Sequence, residues 1–335
     1  MHIVKPLGGK KFMDKIKVSV SCCVFNHERY LRKCLESLTS QKTNFKYEVI
    51  VHDDASTDKS AEIIREFQER YPDIIKPIYQ IENQYSKGIS TGLIVLRQAS
   101  GEYIAFCEGD DFWTSDDKLQ KQVNFLDSHQ DYSMCVHAAY YAHEDGTFFT
   151  DKYFQPYNHS CEVSTREIID GWKFATNSIM YRASARKELV IPFRGDCPNG
   201  DYAMSVYMAL NGKVFYINEL LSAYRAESVG SMNWVWRENT DKYIDSRTKY
   251  VAMLERINKY TNFEYSDILK KNINEAKFGM CIATGDMKDA KVYKELFNKL
   301  GKKQKVELWL HNYYPSVFSL YRKLVRKIKN AKNNI

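Results

Sequence analysis

The stretch Gly101-Glu-Tyr-Ile-Ala-Phe-Cys-Glu-Gly-Asp-Asp-Phe-Trp113 decides how this chain is interpreted. Its apolar run from Tyr103 to Cys107 predicts a short buried strand, and three carboxylates, Glu108, Asp110 and Asp111, follow at once. Neighbouring carboxylates repel one another and resist removal from water unless a cation neutralises them. Mg²⁺ or Mn²⁺ carrying a diphosphate supplies such a cation, because these ions combine one or two carboxylates with phosphate oxygens. The alternative is a solvated acidic turn that caps the following helix.

Upstream of this stretch, strand patterns alternate with helix patterns. Apolar, β-prone runs predict strands at residues 17–25, 47–52 and 74–79, with helices between them and a further helix at residues 87–99. This alternation predicts an α/β fold with a parallel sheet covered by helices on both faces. Ligands of such sheets bind just beyond the carboxyl ends of the strands, where the three carboxylates fall. No glycine-rich phosphate loop follows the first strand, so a nucleotide has to be held in another way.

Downstream of the stretch, strands and helices continue to about residue 233, after which only helical patterns remain. Short strands are predicted at residues 214–217 and 221–224, and the aromatic, irregular run at 148–158 predicts a loop over a site. The change in pattern predicts a first domain at residues 1–233 and a helical C-terminal region at 234–335.

Composition limits the classes of function. The 335 residues suffice for a buried core, the eight cysteines show no metal-binding spacing, and no segment has 18 consecutive apolar residues. We therefore expect reduced thiols and a cytoplasmic protein without a spanning segment. The net charge of +7 comes mainly from residues 316–335, which carry six basic and no acidic side chains. Because the rest is near neutral, a basic face for nucleic acid is not predicted.

The last predicted helix is amphipathic. One stripe is apolar and lies opposite the basic side chains, and it consists of Val317, Leu320, Tyr321, Leu324, Val325 and Ile328. Such a helix suits an anionic membrane surface, which would make the protein peripheral on the cytoplasmic face of a membrane. The alternative is a helix docked on the preceding helices with its basic face in water.

Four segments, taken together, resemble family 2 glycosyltransferases of the GT-A fold. The resemblance covers roughly residues 17–232 and implies a mixed, mainly parallel sheet flanked by helices, with a helical C-terminal extension. The segments are Val20-Ser-Cys-Cys-Val-Phe-Asn26 with its following helix, Glu48-Val-Ile-Val-His-Asp-Asp-Ala-Ser-Thr-Asp58, the stretch from Gly101 to Trp113, and Asn199-Gly-Asp201.

The resemblance implies a nucleotide pocket at the ends of the first two strands. Asp54, with Asp53 beside it, would hydrogen-bond the base, which is uracil in the expected donor. Cys23, Phe25 and Asn26 would line the same pocket. For the two aspartates, the alternative is N-capping of the next helix.

By the same likeness, Asp110 and Asp111 contact the ribose and a divalent metal, Mg²⁺ or Mn²⁺. Asp111 is the first choice as metal ligand. Glu108 stands where many family members carry Asp, and Glu227 stands near a position where they often carry His, so the roles of both glutamates stay open.

The implied reaction is attack by an acceptor hydroxyl on the anomeric carbon of a UDP-sugar, with inversion. The acceptor is a glycan or a lipid-linked sugar of surface polysaccharide synthesis. Asp201 is the predicted base, and Asp196 is the competing carboxylate. Lys87 and Arg225 are candidate contacts of the diphosphate, against solvation for Lys87 and pairing with a core acid for Arg225.

Two other classes of function stay open. A sugar nucleotidyltransferase would share the nucleotide-binding sheet but should carry a glycine-rich, basic loop after the first strand, which this chain lacks. A non-catalytic scaffold that binds glycans or membranes would keep the fold without metal-dependent nucleotide binding.

Overall fold

The structure is a computed structural model that describes residues 15–171, 173–226, 228, 235–236 and 238–333, with side chains described as far as residue 325. The chain forms two compact units. The first comprises residues 1–165, 173–190 and 205–226, and the second comprises residues 166–172, 191–204 and 227–335. This division differs from the boundary predicted at residue 233 by assigning two earlier segments to the second unit.

The first unit is built on one ten-stranded sheet. Its strands are β1 (Val18–Val24), β2 (Tyr47–Asp53), β3 (Ile75–Tyr79), β4 (Tyr103–Phe106), β5 (Phe112–Trp113), β6 (Tyr132–Ala142), β7 (Phe148–Phe154), β8 (Cys161–Val163), β9 (Met180–Arg182) and β10 (Lys213–Arg225). They lie in the order β3-β2-β1-β4-β9-β6-β10-β5, with β7 paired to β6 and β8 paired to β10. The longest ladders are parallel, which confirms the mixed, mainly parallel sheet that the sequence predicts.

The helices between the strands are α1 (Glu28–Thr39), α2 (Ser60–Arg70), α3 (Thr91–Gln98), α4 (Lys118–Ser128), α5 (Thr165–Asp170) and α6 (Gly200–Leu210). Helix α1 forms because apolar residues recur on one face at helical spacing, and it buries Tyr30, Leu31, Cys34, Leu35 and Leu38. Strand β2 is buried along its whole length, as expected of a central parallel strand.

Strand directions bring several strand ends to one edge of the sheet. β1 pairs in parallel with both β2 and β4, so the carboxyl ends of these strands coincide. β9 runs antiparallel to both β4 and β6, so β6 runs in the direction of β4, and β10 is parallel to β6. The carboxyl ends of β1, β2, β4, β6 and β10 therefore share one edge, which we call the rim.

The prediction of a loop at residues 148–158 is wrong for Phe148–Phe154, which form β7 and pair antiparallel with β6. Every side chain of β7 is exposed or half-buried, so its sequence lacks the apolar and polar alternation that identifies a half-buried strand. Rings pair across the two strands instead. The centroids of Tyr140 and Phe148 lie 4.2 Å apart, as do those of Tyr141 and Phe154.

Two other predictions differ in their boundaries. The strands predicted at residues 214–217 and 221–224 form the single strand β10, whose register shifts between Ile217 and Ser222. The helix expected from Lys87 onward begins at Thr91, because residues 85–87 form a 3₁₀ turn.

The second unit contains the predicted C-terminal helices. They are α7 (Thr240–Tyr260), α8 (Ser266–Thr284), α9 (Met287–Ala290), α10 (Lys294–Lys299), α11 (Lys302–Tyr313) and α12 (Pro315–Asn333). Helices α7 and α8 pack against each other. Gly285 ends α8 in the left-handed conformation with φ 79°, which a glycine adopts without steric cost.

Helix α12 packs on α11 along one side. The Phe318 ring stacks on His311 at 4.2 Å, and the Tyr321 hydroxyl donates to Glu307 at 2.9 Å. Val317 and Leu320 of the predicted apolar stripe stay largely exposed. Side chains from residue 326 onward lie outside the description, so contact with a membrane stays a prediction. Across the described residues, no helix is both long and apolar enough to cross a bilayer.

Lys118, the first residue of α4, is fully buried in the first unit. Its Nζ lies 4.0 Å from the centre of the Trp113 ring and meets no hydrogen-bond acceptor among the described residues. Burial lowers the pKa of Lys118 to about 7, although the nearby Cys107 and Cys135 act in the opposite direction. Folding therefore places a poorly solvated amine beneath Trp113.

Replacing Lys118 with methionine is expected to stabilise the folded chain at pH 7 by roughly 1–4 kcal/mol, because the cost of burying a charge disappears. Between the folded pKa of about 7 and the unfolded value of 10.5, the unfolded chain binds more protons, so wild-type stability rises with pH. Below this window the cost is complete. The variant keeps Cys107, Cys135 and His137 but loses this rise. Urea unfolding from about pH 6 to 9 measures both proteins, and identical pH dependences would contradict the assignment.

Candidate active site

Backbone hydrogen bonds tie the ends of β1, β2 and β4 together at the rim. The Asp54 amide donates to the Val24 carbonyl at 2.9 Å, and the Gly109 amide donates to the Cys23 carbonyl at 3.0 Å. The loops that follow β2 and β4 therefore flank the end of β1. The structure thus brings the ends of the first two strands, with their predicted nucleotide-binding residues, close to residues 107–111 between β4 and β5, which we call the acidic loop.

Asn26 lies in the loop after β1 and has a left-handed backbone conformation with φ 56°. Its amide donates to Ser56 Oγ at 2.9 Å, and its Oδ1 accepts from the Thr57 amide at 2.8 Å. Phe25 beside it is 45% exposed. Cys23 is half-buried, and burial raises the pKa of its thiol, which stays protonated at neutral pH. This loop presents an exposed ring next to a neutral thiol.

Asp54 is buried, and its carboxylate caps the 3₁₀ turn that follows β3. It accepts from the amides of Gln84 at 2.8 Å and Tyr85 at 3.0 Å. Asp53 accepts from the Ser56 amide at 3.2 Å. Both carboxylates order loops that border the end of β1, and contact of Asp54 with a base stays a prediction.

Lys87 lies on the same 3₁₀ turn. It is exposed and forms an ion pair with Glu82. Its contact with a diphosphate stays a prediction. Glu227, whose role the sequence left open, lies outside the described residues.

Asp111 is 2% exposed, and protein groups satisfy both of its carboxylate oxygens. Oδ1 accepts from the Arg225 amide at 2.9 Å, and Oδ2 accepts from Asn177 Nδ2 at 3.0 Å. Burial raises the pKa of Asp111 well above its usual range, and repulsion from Asp110 adds to the effect. Both oxygens of Asp111 are therefore engaged within the protein, and its role as a metal ligand stays a prediction.

Asn177 is a site residue that sequence reasoning missed. It is fully buried, and besides Asp111 it bonds two groups of β10: Nδ2 donates to the Ala223 carbonyl at 2.9 Å, and Oδ1 accepts from Ser222 Oγ at 2.6 Å. The backbone carbonyl of Asn177 accepts a hydrogen bond from Trp113 Nε1 at 3.1 Å. A single asparagine offers no periodic pattern, so only the assembled sheet reveals its role.

Arg225 ends β10 at the rim and is 3% exposed. Its Nη1 donates to the Asp110 carbonyl. The guanidinium carbon lies 4.8 Å from the centre of the Phe112 ring and 5.1 Å from that of Tyr30. The geometry favours a role for Arg225 in holding the acidic loop, and its direct contact with a diphosphate stays a prediction.

Asp110 differs from Asp111 because it is half-buried, and its carboxylate accepts no hydrogen bond within the described part of the chain. No group of three or more His, Cys, Asp or Glu within that part is arranged to hold a metal ion unaided. Mg²⁺ and Mn²⁺ do not need one, because they bind through one or two carboxylates, water and substrate phosphates. Asp110 fits a metal that arrives with a diphosphate.

Asp201 belongs to the second unit and lies in the first turn of α6, half-buried. Its Oδ1 accepts from the Tyr202 amide at 2.8 Å. The competing Asp196 is 72% exposed and lies 3.9 Å from Lys249 of α7. Asp196 is therefore a solvent-exposed carboxylate in a surface ion pair. The half-buried Asp201 is the better candidate for the base.

The chain is similar in sequence to a known protein family: the profile of glycosyl transferase family 2 matches residues 19–189. An uncharacterized protein of Mycobacterium tuberculosis is 34% identical over 218 residues, which is 64% of this chain and 60% of the relative. The glycosyltransferase GlyA of Streptococcus pneumoniae is 29% identical over 321 residues, which is 88% of this chain and 43% of GlyA. The chain thus spans less than two thirds of the length of these relatives.

Solved structures share the fold. Residues 1–349 of Staphylococcus aureus TarS superpose with a TM-score of 0.55 at 17% identity, over 89% of this chain and 79% of that one. The complex of TarS 1–349 with UDP gives 0.52 at 18% identity, over 84% and 88%. The mannosyltransferase PcManGT of Pyrobaculum calidifontis, in complex with GDP-Man and Mn²⁺, gives 0.53 at 14% identity, over 90% and 88%.

Proposed function

The chain belongs to glycosyl transferase family 2, and from this premise we propose that it transfers a sugar from a nucleotide diphosphate sugar to a hydroxyl group, with inversion. The observation that carries the proposal is the rim itself. There, the half-buried Asp110 lies in the loop beside the ends of β1 and β2, while Asp111 and Arg225 hold that loop through hydrogen bonds.

The nucleotide binds at the ends of β1 and β2 in this proposal. The exposed Phe25 ring offers a face to the base, and the ordered loops of Asn26, Asp53 and Asp54 supply polar groups for its edge. UDP is the proposed nucleotide because TarS, which shares the fold, was solved with UDP. PcManGT was solved with GDP-Man, so a guanine nucleotide is the comparison to test.

Asp110 is the proposed first ligand for Mg²⁺ or Mn²⁺, ahead of Asp111, because the oxygens of Asp111 already accept N–H groups. A bound metal would neutralise the charge that grows on the departing diphosphate. Asp111 then acts by orienting the loop. Asn177 and Arg225 keep Asp111 in place, and Arg225 also grips the Asp110 carbonyl.

Asp201 is the proposed base. A neutral hydroxyl is a weak nucleophile, and a carboxylate that takes its proton during attack contributes roughly 10²–10⁴ in rate. The acceptor attacks the anomeric carbon from the side opposite the diphosphate, so the configuration inverts. We propose a glycan or lipid-linked sugar as the acceptor, in surface polysaccharide assembly on the cytoplasmic side of a membrane.

A thermal-shift experiment tests the donor part of the proposal. UDP-GlcNAc, UDP-glucose and GDP-mannose are each added with and without Mn²⁺. We expect a UDP-sugar with Mn²⁺ to raise the unfolding temperature by several degrees, since ligand at 100 times its Kd stabilises the folded state by about 2.7 kcal/mol. Mn²⁺ alone should give a smaller shift. If no nucleotide sugar changes the unfolding temperature in the presence of metal, the proposal of a transferase is wrong and the alternative of a non-catalytic scaffold is favoured.

A further inference from the structure

Strand β7 lies at the rim of the sheet, paired with the carboxyl end of β6 and next to the acidic loop. One side of β6 is paired with β10 along its length, so β7 and β9 both lie on its other side, the side of β4. β9 pairs with β6 at Met134 and Cys135, whereas β7 pairs with it from Ala139 to Ala142, closer to the rim. β7 therefore continues the position of β9 toward the rim, beside the end of β4.

A column of aromatic rings leads from the acidic loop to this strand. Phe112, two residues after Asp110, is buried, and its ring stacks on Phe148 with centroids 6.2 Å apart and an interplanar angle of 20°. Phe148 stacks in turn on Tyr140 at 4.2 Å, and Tyr140 meets Tyr153 edge-on at 6.0 Å. Although stacked, Phe148 and Tyr153 remain 42% and 41% exposed.

The β6–β7 hairpin is fixed to α1, so its exposed rings have a defined place. The Tyr30 hydroxyl donates to Glu144 in the hairpin turn at 2.7 Å, and Lys33 Nζ donates to the Gly146 carbonyl at 3.3 Å. Lys33 also lies 4.0 Å from the centre of the Phe112 ring. Rigid positioning lowers the entropic cost of binding a ligand against these rings.

We propose that Phe148 and Tyr153 form a stacking platform for a sugar ring of the acceptor, a deepening that rests on the proposed transferase function. The order of the sheet supplies the argument. Asp53 and Asp54 of β2, the loop of β1, the acidic loop of β4 and then β7 follow one another along the rim. With the base at β2 and the diphosphate at Asp110, the space beside β7 is where an acceptor enters.

A saccharide suits the platform because a pyranose has one flat C–H face and a rim of hydroxyl groups. The C–H face packs on aromatic rings, and the hydroxyl groups need hydrogen-bond partners at the edge. The platform carries both features, since the Tyr153 hydroxyl donates to the Thr150 carbonyl at 3.0 Å and can still accept a hydrogen bond at the edge of its ring.

The experiment is a microarray of bacterial and mammalian oligosaccharides, probed with the full chain in UDP and Mn²⁺. We expect the wild-type chain to bind a subset of saccharides, and the double variant Phe148→Ala/Tyr153→Ala to bind that subset about tenfold more weakly or less. Phe263→Ala removes an aromatic ring that is 63% exposed in the second unit and should bind like the wild type.

The thermal shift with UDP-sugar and Mn²⁺ separates this proposal from the proposed function. If the double variant keeps the donor shift and loses saccharide binding, the platform is supported. Saccharide binding equal to that of the wild type, or a wild-type chain that binds no printed saccharide, overturns the platform and leaves the donor result untouched. A double variant that changes only its elution volume in gel filtration assigns the rings to a contact between copies and also overturns the proposal.

Discussion

Replacing Asp110 with asparagine is expected to lower metal-dependent sugar transfer by about 10²–10³-fold, the usual loss when one electrostatic group is removed from a reaction site. The side chain keeps its size and loses its charge, so the Arg225 contact with the Asp110 carbonyl stays intact. The fold and the unfolding temperature without ligand should not change. Transfer or donor hydrolysis at several Mn²⁺ concentrations measures the loss.

Two further substitutions define the role of Asp110. Asp116→Asn removes an exposed carboxylate of the same segment, paired with Lys42, and should leave transfer unchanged. Asp111→Asn keeps one oxygen that can accept from the Arg225 amide but turns an NH₂ group toward Asn177 Nδ2, and we expect it to destabilise the fold by about 1–3 kcal/mol, because a buried donor loses its acceptor. If Asp110→Asn transfers sugar at the wild-type rate with the same dependence on Mn²⁺, Asp110 is not the ligand.

The second large effect is expected at Asp201. Asp201→Asn should lower kcat by about 10²–10⁴-fold, because the amide cannot accept the proton of the acceptor hydroxyl. Binding of UDP-sugar and Mn²⁺, measured by calorimetry, should match that of the wild type, since the proposed nucleotide-binding residues belong to the first unit. The thermal shift with donor serves as the check on folding.

Asp196→Asn is the matched control for the base. It removes an exposed carboxylate from the same unit, close to Asp201 in the sequence, and breaks only the pair with Lys249. We expect near wild-type kcat from it. A reversal of the two results, with Asp196→Asn inactive and Asp201→Asn active, would transfer the role of base to Asp196.

The strands that the sequence predicts best are those buried on both faces. The runs that end at Phe25, His52 and Cys107 are mostly apolar and correspond to β1, β2 and β4. Their shared direction also follows from the pattern, because parallel strands joined by helices place their carboxyl ends together. The convergence of Asp54 and Asp110 on one rim was therefore predictable.

Side-chain direction was not predictable in the same way. Nothing local distinguishes Asp110 from Asp111, and the inward position of Asp111 depends on Asn177 and on the Arg225 amide. Both partners lie far away in the sequence, so no spacing rule connects them. β7 was missed for a different reason, since its aromatic side chains are exposed on both faces and give no periodic signal.

The hydrogen bonds of Asp111 also affect the order in which parts of the chain fold. They close loops of 66 and 114 residues, to Asn177 and to Arg225. Closing such long loops costs entropy before any contact repays it, so these bonds belong to the slow, late part of folding. A chain emerging from the ribosome can build its first parallel strands well before residue 225 is synthesised. The acidic loop gains its final shape only when β10, the last strand, is in place.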